Sequence, residues 1–186
     1  MPSASFVPSM IAAMTGRQLE GAATPFDEVY REHADAVYRF CVSQLRDVET
    51  AEDITGDVFA AAFAAYERVH PDDAGVRTWL FRIARNAVID QYRREGRRRA
   101  LLGRVGRDRQ FADSVEETVE RRSDLRSIRA ALETLRDHDR LLVGLRIAGG
   151  LSFAEVGAVL GMRESAAKAA THRALERVRA TLREQA

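Results

Sequence analysis

The chain has 186 residues, of which 46% are hydrophobic and 31% charged, and its formal net charge is +1. This length allows one or two small domains, with enough apolar residues for a buried core. The single cysteine, Cys41, excludes an internal disulfide and a cysteine-based zinc site. No apolar run approaches the ~20 residues of a membrane span, and the N-terminus is a poor secretory signal. We therefore expect a cytoplasmic protein, with no cofactor.

The first half of the chain is predicted to form three helices. Residues 1–24 lack periodicity and are predicted to be a disordered extension. Helical spacing then covers 26–44, about 50–68 and about 76–94, and the composition of 70–75 indicates a loop. Val37, Phe40 and Cys41 form part of an apolar stripe on the first helix. The residues that follow its helical spacing are Phe26, Val29, Tyr30, His33, Val37, Phe40, Cys41 and Gln44.

An arginine- and glycine-rich stretch, 96–120, is predicted to be a flexible linker. Helical periodicity resumes near Val115, and a further helix is expected at about 137–148, before Gly149 and Gly150. No segment shows the alternation of a β-strand. The sequence therefore predicts an all-α protein with two small helical domains, 25–95 and 121–186.

The strongest local motif begins at Ser152. Together with Glu155 it forms a capping box, and Gly161 is a C-terminal signal for the helix that the box opens. A longer basic helix, about 164–183, follows, which is the arrangement of a helix-turn-helix. Side chains near the start of its second helix are placed to contact duplex DNA; these are Arg163, Ser165, Lys168, His172 and Arg173. A helical hairpin with an ordinary solvated basic face is the alternative.

A second basic region lies between residues 82 and 109, where ten arginines accompany three acidic residues. Arginines follow a phosphate backbone, and aromatic faces stack on unpaired bases. The candidates are Arg82, Arg85, Asn86 and Arg93, with the aromatics Trp79, Phe81 and Tyr92 nearby. The alternative is that these aromatics belong to the core and that the arginines form a solvated face.

The predicted second helix is acidic at its start. Residues 47–57 contain Asp47, Glu49, Glu52, Asp53 and Asp57 and no basic residue. The helix dipole alone favours acids there. The more specific interpretation is a protein-docking face around Val58 and Phe59. A metal site is disfavoured because the segment lacks a histidine and a repeating ligand pattern.

Taken together, these segments resemble bacterial sigma factors. The similarity to their promoter-melting domain, region 2, lies in Phe26–Tyr30, Ala51–Phe59 and Arg77–Asn86, with Asp90, Arg93 and Arg94. Leu151–Gly161, continuing to Lys168, His172 and Arg173, is similar to their helix-turn-helix domain, region 4. Two domains and a short linker are typical of the small extracytoplasmic-function (ECF) type.

The resemblance implies a division of roles. Asp53, Asp57, Val58 and Phe59 would dock on the β′ clamp helices of core RNA polymerase, and the second domain would meet the β flap. The minus-ten element would be held as a single strand, with the 69–76 loop closing a pocket, by Trp79, Arg82, Arg85, Asn86, Arg93 and Arg94. The basic helix of region 4 would recognise the minus-thirty-five element. An anti-sigma factor is a further expected partner.

Three departures from the family pattern bear on these roles. Gly56 stands where glutamine is usual, Gly157 replaces an alanine, and Ala170 replaces an arginine. A mid-helix glycine costs ~1 kcal/mol relative to alanine. Losing the arginine removes one contact to phosphate or base, so promoter specificity does not carry over directly from the family.

Two other functional classes are the alternatives to a sigma factor. A conventional helix-turn-helix regulator would bind duplex DNA without docking on polymerase, but it would not need an acidic helix and an arginine–aromatic helix in its other domain. An enzyme is disfavoured because no phosphate-binding loop, nucleophile elbow or histidine-containing metal motif occurs, so no catalytic residue is assigned.

Overall fold

The computed structural model describes residues 24–45, 47–69, 71, 73–101 and 130–185. Along the chain, its α-helices are α1 (Phe26–Gln44), α2 (Val48–Val69), α3 (Asp73–Leu101), α4 (Asp137–Val143), α5 (Phe153–Leu160) and α6 (Glu164–Gln185). Residues 130–133 are also helical, and no strand occurs in the described ranges. The all-α prediction is confirmed. Among these helices, none has the length and apolar character that spanning a membrane requires.

Helices α1, α2 and α3 form the first lobe, and apolar residues at helical spacing on each of them form its core. The residues that follow the helical spacing of α1 in the sequence are all buried. On α2 the buried positions recur every three or four residues and include Ile54, Val58 and Phe59. Aromatic rings meet edge-to-face between these helices, with centroids 4.7 Å apart for Tyr30 and Phe59. Such pairs add to the stability that burial of their area provides.

Helix α3 is longer at both ends than its sequence predicts. It begins at Asp73, so the predicted 70–75 loop is shortened, because burial of Val76 and Leu80 outweighs the modest cost of Gly75. It also continues past Arg94 to Leu101, into the first part of the predicted linker. Arginine is a good helix former, and the single Gly96 is not enough to end the helix. The rest of that linker, 102–120, lies outside the described residues, as do Val115 and the 1–23 segment.

The second lobe contains α4, α5 and α6. Helix α4 runs directly into a π-helical segment, Gly144–Ala148, so the helix predicted at 137–148 is continuous but changes its winding. Helix α5 has the predicted capping box at Ser152 and ends at Gly161, whose φ of 71° lies in the left-handed region that glycine tolerates. A small cluster attaches residues 131–135 to this lobe; its buried members are Ala131, Leu135, Val143, Ala174 and Val178.

The two lobes pack against each other. One continuous apolar cluster contains Phe40 and Phe81 from the first lobe together with Leu142, Leu145 and Val156 from the second. Helix α3 contacts α5, and α1 contacts the π-helical segment. The described residues therefore share one main core, a contact between lobes that the sequence did not predict.

The core makes Cys41 a probe of folding. Burial raises the pKa of its thiol to about 11, against a smaller opposing effect of the Thr55 side chain. Because the thiolate is the reactive form, we expect alkylation at pH 8 to be about 100-fold slower in the native protein than after denaturation. Mass spectrometry of iodoacetamide-treated samples measures this ratio, and equal rates would contradict the burial of Cys41.

Candidate protein and nucleic-acid interfaces

Only part of the docking surface predicted on α2 is exposed. Asp53 and Asp57 are exposed, whereas Val58 and Phe59 are fully buried in the core. The expectation that Val58 and Phe59 form part of a docking surface is therefore wrong: their apolar side chains anchor the helix, and this directs the carboxylates outward. Asp47 has a local role, because its carboxylate accepts hydrogen bonds from the backbone N–H and hydroxyl of Thr50, both at 2.7 Å.

The aromatics on α3 serve mainly to pack the lobe. Phe81 is fully buried, and its ring lies 5.7 Å from that of Phe40, so it cannot stack on a base. The Tyr92 hydroxyl donates a hydrogen bond of 2.8 Å to the Gln44 carbonyl. Trp79 is partly buried against the core, and its ring centroid lies 6.1 Å from that of Tyr66. Trp79 and Tyr92 are therefore both partly exposed, whereas Phe81 is not.

The predicted polar contacts on α3 differ in exposure. Arg82, Asn86, Arg93 and Arg94 are exposed, and Arg85 is partly buried. Arg82 also contacts the second lobe, because it donates from Nε and Nη2 to the Ala158 carbonyl at 3.1 and 2.9 Å. The Nε of Arg85 is buried without a hydrogen-bond partner, and its Nη1 donates to the Asn86 side chain at 3.3 Å.

The loop predicted at 69–76 is also corrected. Val69 ends α2 and Asp73 begins α3, so only residues 70–72 separate the helices. The predicted loop therefore overlaps the last residue of α2 and the first turn of α3.

The predicted recognition helix shows the expected division into two faces. Its predicted DNA contacts are all exposed; they are Arg163, Ser165, Lys168, His172 and Arg173. Ala167, Thr171 and Ala174 are fully buried on the opposite side. The ring of His172 packs edge-to-face on Phe153 at 5.8 Å, which ties α6 to α5 and limits the freedom of the histidine.

The turn between α5 and α6 depends on Gly157. A methyl group there would lie 2.6 Å from the Met162 carbonyl oxygen, which is too close for an unshifted backbone. Alanine, the usual residue at this position in the family, would therefore require the turn to move. The Gly157 carbonyl also accepts a hydrogen bond of 2.9 Å from the Met162 N–H.

The capping box carries a charge that its surroundings stabilise. Glu155 accepts a 2.7 Å hydrogen bond from the Ser152 N–H, and its own N–H donates to the Ser152 hydroxyl at 3.2 Å. Burial opposes the charge on Glu155, but the hydrogen bonds to Ser152, with Arg77 and Arg146 nearby, hold the pKa of its carboxyl below the usual value. The sequence gives no sign that Arg77 contacts this lobe, because the other groups that it binds there are the backbone carbonyls of Gly149 and Gly150.

Metal-binding chemistry has no visible support in the described ranges. No three histidine, cysteine or acidic side chains there come together in a group that could hold a metal ion. The five acids of α2, which are Glu49, Glu52, Asp53, Asp57 and Glu67, are all exposed or half-exposed.

The comparisons with known proteins agree with this arrangement. The model of Sigma-70 region 2 matches residues 29–98, and that of Sigma-70 region 4 matches residues 125–178. The ECF RNA polymerase sigma factor SigL of Mycobacterium tuberculosis H37Rv is 30% identical over 156 residues, which are 84% of this chain and 88% of SigL. The chain belongs to the ECF family of RNA polymerase sigma factors.

Other relatives extend the comparison. SigE of Mycolicibacterium smegmatis is 33% identical over 162 residues, which are 86% of this chain but only 62% of SigE. Among solved structures, this sigma factor is similar to RpoE in its complex with the anti-sigma factor NepR from Bartonella quintana. The TM-score is 0.68 at 26% identity, and the match covers 85% of this chain and 96% of RpoE. CnrH, in complex with the cytosolic domain of CnrY, gives a TM-score of 0.67 at 25% identity, over 95% of this chain and 96% of CnrH.

The capping box provides a test of the helix-turn-helix. In Ser152→Ala, the N–H of Glu155 loses its side-chain partner, so we expect the free energy of unfolding to fall by about 1 kcal/mol. Chemical denaturation measures the change. Ser165→Ala is the matched control, because Ser165 is exposed within α6 and has no capping role in the structure; an equal loss in the control would contradict the assignment.

Proposed function

We propose that this sigma factor docks on core RNA polymerase through the acidic face of α2. Asp53 and Asp57 supply two exposed carboxylates on a helix that the first-lobe core holds rigidly. The partner surface would be the basic β′ clamp helices, since complementary charges steer docking and fix register. The observation that carries this proposal is the exposure of these acids within the region 2 match, on a face that no basic residue interrupts.

The minus-ten element would be held by α3. Asn86, Arg93 and Arg94 are exposed for phosphate and base contacts, and Arg82, Arg85 and Trp79 lie beside them on the same helix. Taking bases out of the duplex costs a few kcal/mol per step, which arginine–phosphate contacts and stacking offset. Promoter melting is thus proposed to depend on the exposed arginine face rather than on a deep aromatic pocket.

The minus-thirty-five element would be recognised as duplex DNA by α6. Arg163, Ser165 and Lys168 lie near the start of this helix, where side chains reach base edges in a major groove. His172 and Arg173 follow one and a half turns later and are placed for the backbone. Region 4 is also proposed to meet the β flap of the polymerase.

The remaining parts of the proposal concern organisation and partners. Residues 25–95 are proposed as the region 2 domain and 121–186 as the region 4 domain, joined through 96–120. Two similar solved structures are complexes, one with the anti-sigma factor NepR and one with the cytosolic domain of CnrY. We propose that an anti-sigma factor also binds this chain, in the cytoplasm.

The docking face can be tested by charge reversal. Asp53→Arg with Asp57→Arg places like charges against a basic partner, which costs several kcal/mol, so we expect affinity for purified core polymerase to fall at least about 100-fold. Fluorescence anisotropy with labelled protein measures it, and circular dichroism checks the fold. Glu67→Arg, an exposed reversal at the far end of α2, is the control and should leave affinity unchanged. Full binding by the double variant would rule out this face.

The DNA face of α6 can be tested through its salt dependence. Lys168→Ala with Arg173→Ala should weaken binding to duplex promoter DNA and reduce the slope of log affinity against log salt by roughly 2, about 0.9 for each phosphate contact removed. Arg183→Ala, at the exposed end of α6, is the matched control. An unaltered slope in the double variant would mean that neither side chain meets phosphate.

Initiation assays separate this function from that of an ordinary regulator. Core polymerase mixed with a helix-turn-helix regulator that does not dock remains unable to start at a promoter. Core mixed with a sigma factor initiates transcription, and sequencing the transcripts made on genomic DNA identifies the start sites.

A further inference from the structure

A groove of about 380 Å³ is lined by residues of α3, α4 and α5. This volume lies within the range of small-molecule binding sites, which is about 300–1,000 Å³. The apolar part of the lining consists of Ile89, Tyr92, Leu141 and Leu160. The polar part consists of Arg85, Arg93, Asp137 and His138. The groove therefore combines two chemistries, and neither a purely apolar ligand nor a small inorganic ion contacts both.

The polar part of this lining has excess positive charge. The carboxylate of Asp137 is already paired with Arg140 at 2.6 Å. Arg93 has an exposed ion pair of 3.5 Å within α3, which contributes little because water surrounds both groups. Arg85 donates from Nη1 to the Asn86 side chain at 3.3 Å, but within the described ranges it forms no ion pair with an acid. The guanidinium groups of Arg85 and Arg93 therefore favour an anionic ligand.

Buried polar atoms without hydrogen-bond partners lie in and behind the same groove. In the part of the chain that the structure describes, these side-chain atoms are Gln44 Oε1, Arg85 Nε and Arg140 Nε. Arg85 lines the groove, and the Arg140 guanidinium lies 5.6 Å from the ring centroid of Tyr92, which also lines it. The backbone carbonyl of Gln44 accepts the hydrogen bond of the Tyr92 hydroxyl. Because buried donors are nearly always paired, the Nε–H of Arg85 points to an acceptor that these residues do not supply.

We propose that this groove binds a free mononucleotide. Its phosphate meets Arg85 and Arg93, because guanidinium groups bind phosphate oxygens through several N–H donors in a fixed plane. Its base packs against Tyr92, Ile89 and Leu160, since flat rings gain from stacking and from apolar contact. Inorganic phosphate alone leaves the apolar lining unused, and a nucleoside leaves the two arginines without a counter-charge. A nucleoside phosphate is the class of ligand that contacts both parts of the lining.

Titration calorimetry of the full chain tests the site. The probes are AMP and UMP, a purine and a pyrimidine nucleotide, together with adenosine, uridine and inorganic phosphate. From the size of the ligand we expect a dissociation constant on the order of 100 µM for at least one nucleotide. Its nucleoside and phosphate should each bind at least about tenfold more weakly, because each contacts only part of the lining. Binding of phosphate as tight as that of the nucleotide would overturn the proposed ligand, and no binding of either nucleotide would overturn the site.

Two arginine variants locate the bound phosphate. Arg85→Gln and Arg93→Gln should each weaken nucleotide binding about tenfold, because each removes a charge-assisted hydrogen bond. Circular dichroism checks the fold, and the exposed Arg93 provides the test if the partly buried Arg85 cannot be replaced. Arg97→Gln is the matched control, since Arg97 is exposed one turn further along α3 and does not line the groove. An equal loss in the control would mean that the basic helix attracts any anion, and unchanged binding in both groove variants would overturn the site.

A bound nucleotide should compete with the minus-ten strand, since Arg85 and Arg93 belong to both proposed sites. This step rests on the proposed function. The probe is a labelled single-stranded oligonucleotide from a start site mapped by transcript sequencing, and fluorescence anisotropy measures its affinity. Nucleotide at ten times its dissociation constant should weaken strand binding about tenfold. Unchanged affinity in a chain that binds both ligands would overturn the competition. Failure to bind the strand at all would overturn the proposed function, while the calorimetry still decides the nucleotide site.

Discussion

The structure depends on the contact that Phe81 makes on two sides. Its ring packs against Phe40 within the first lobe, and its edge abuts Gly149 of the second. Because packed interiors tolerate little change in volume, this one aromatic side chain fixes both the tilt of α3 and the position of the second lobe. The exposed arginines on α3 are therefore positioned by a side chain that is itself fully buried.

The burial of apolar residues also explains how an acidic face forms on α2 and a basic face on α6. Val58 and Phe59 fill the core and leave Asp53 and Asp57 on the outer side of α2, while Ala167 does the same for Lys168 on α6. In each helix the apolar residues recur at helical spacing and face the core, so the charged residues lie on the opposite face. An acidic face on α2 and a basic face on α6 thus coexist in a chain whose net charge is only +1.

The sequence predicted features that local rules determine. The helical period predicts α1 and the apolar stripe of Val37, Phe40 and Cys41, and the capping box predicts the start of α5. The sequence alone does not predict that Val58 and Phe59 are buried, because an apolar residue in a docking surface and one in the core have the same sequence pattern. The lobe contacts were equally hidden, because Arg77 and Arg82 bind carbonyls, which every residue carries.

The contacts between the lobes combine a polar and an apolar part. A hydrogen bond from an exposed arginine to a carbonyl contributes on the order of 1 kcal/mol, since water competes for both groups. The shared apolar cluster adds the burial of side chains such as Phe81, Leu145 and Val156. The second lobe also has contacts of its own, in the capping box of α5 and in the small cluster that includes Ala174. Because each lobe is stabilised internally, the surface between them is not what holds either one together.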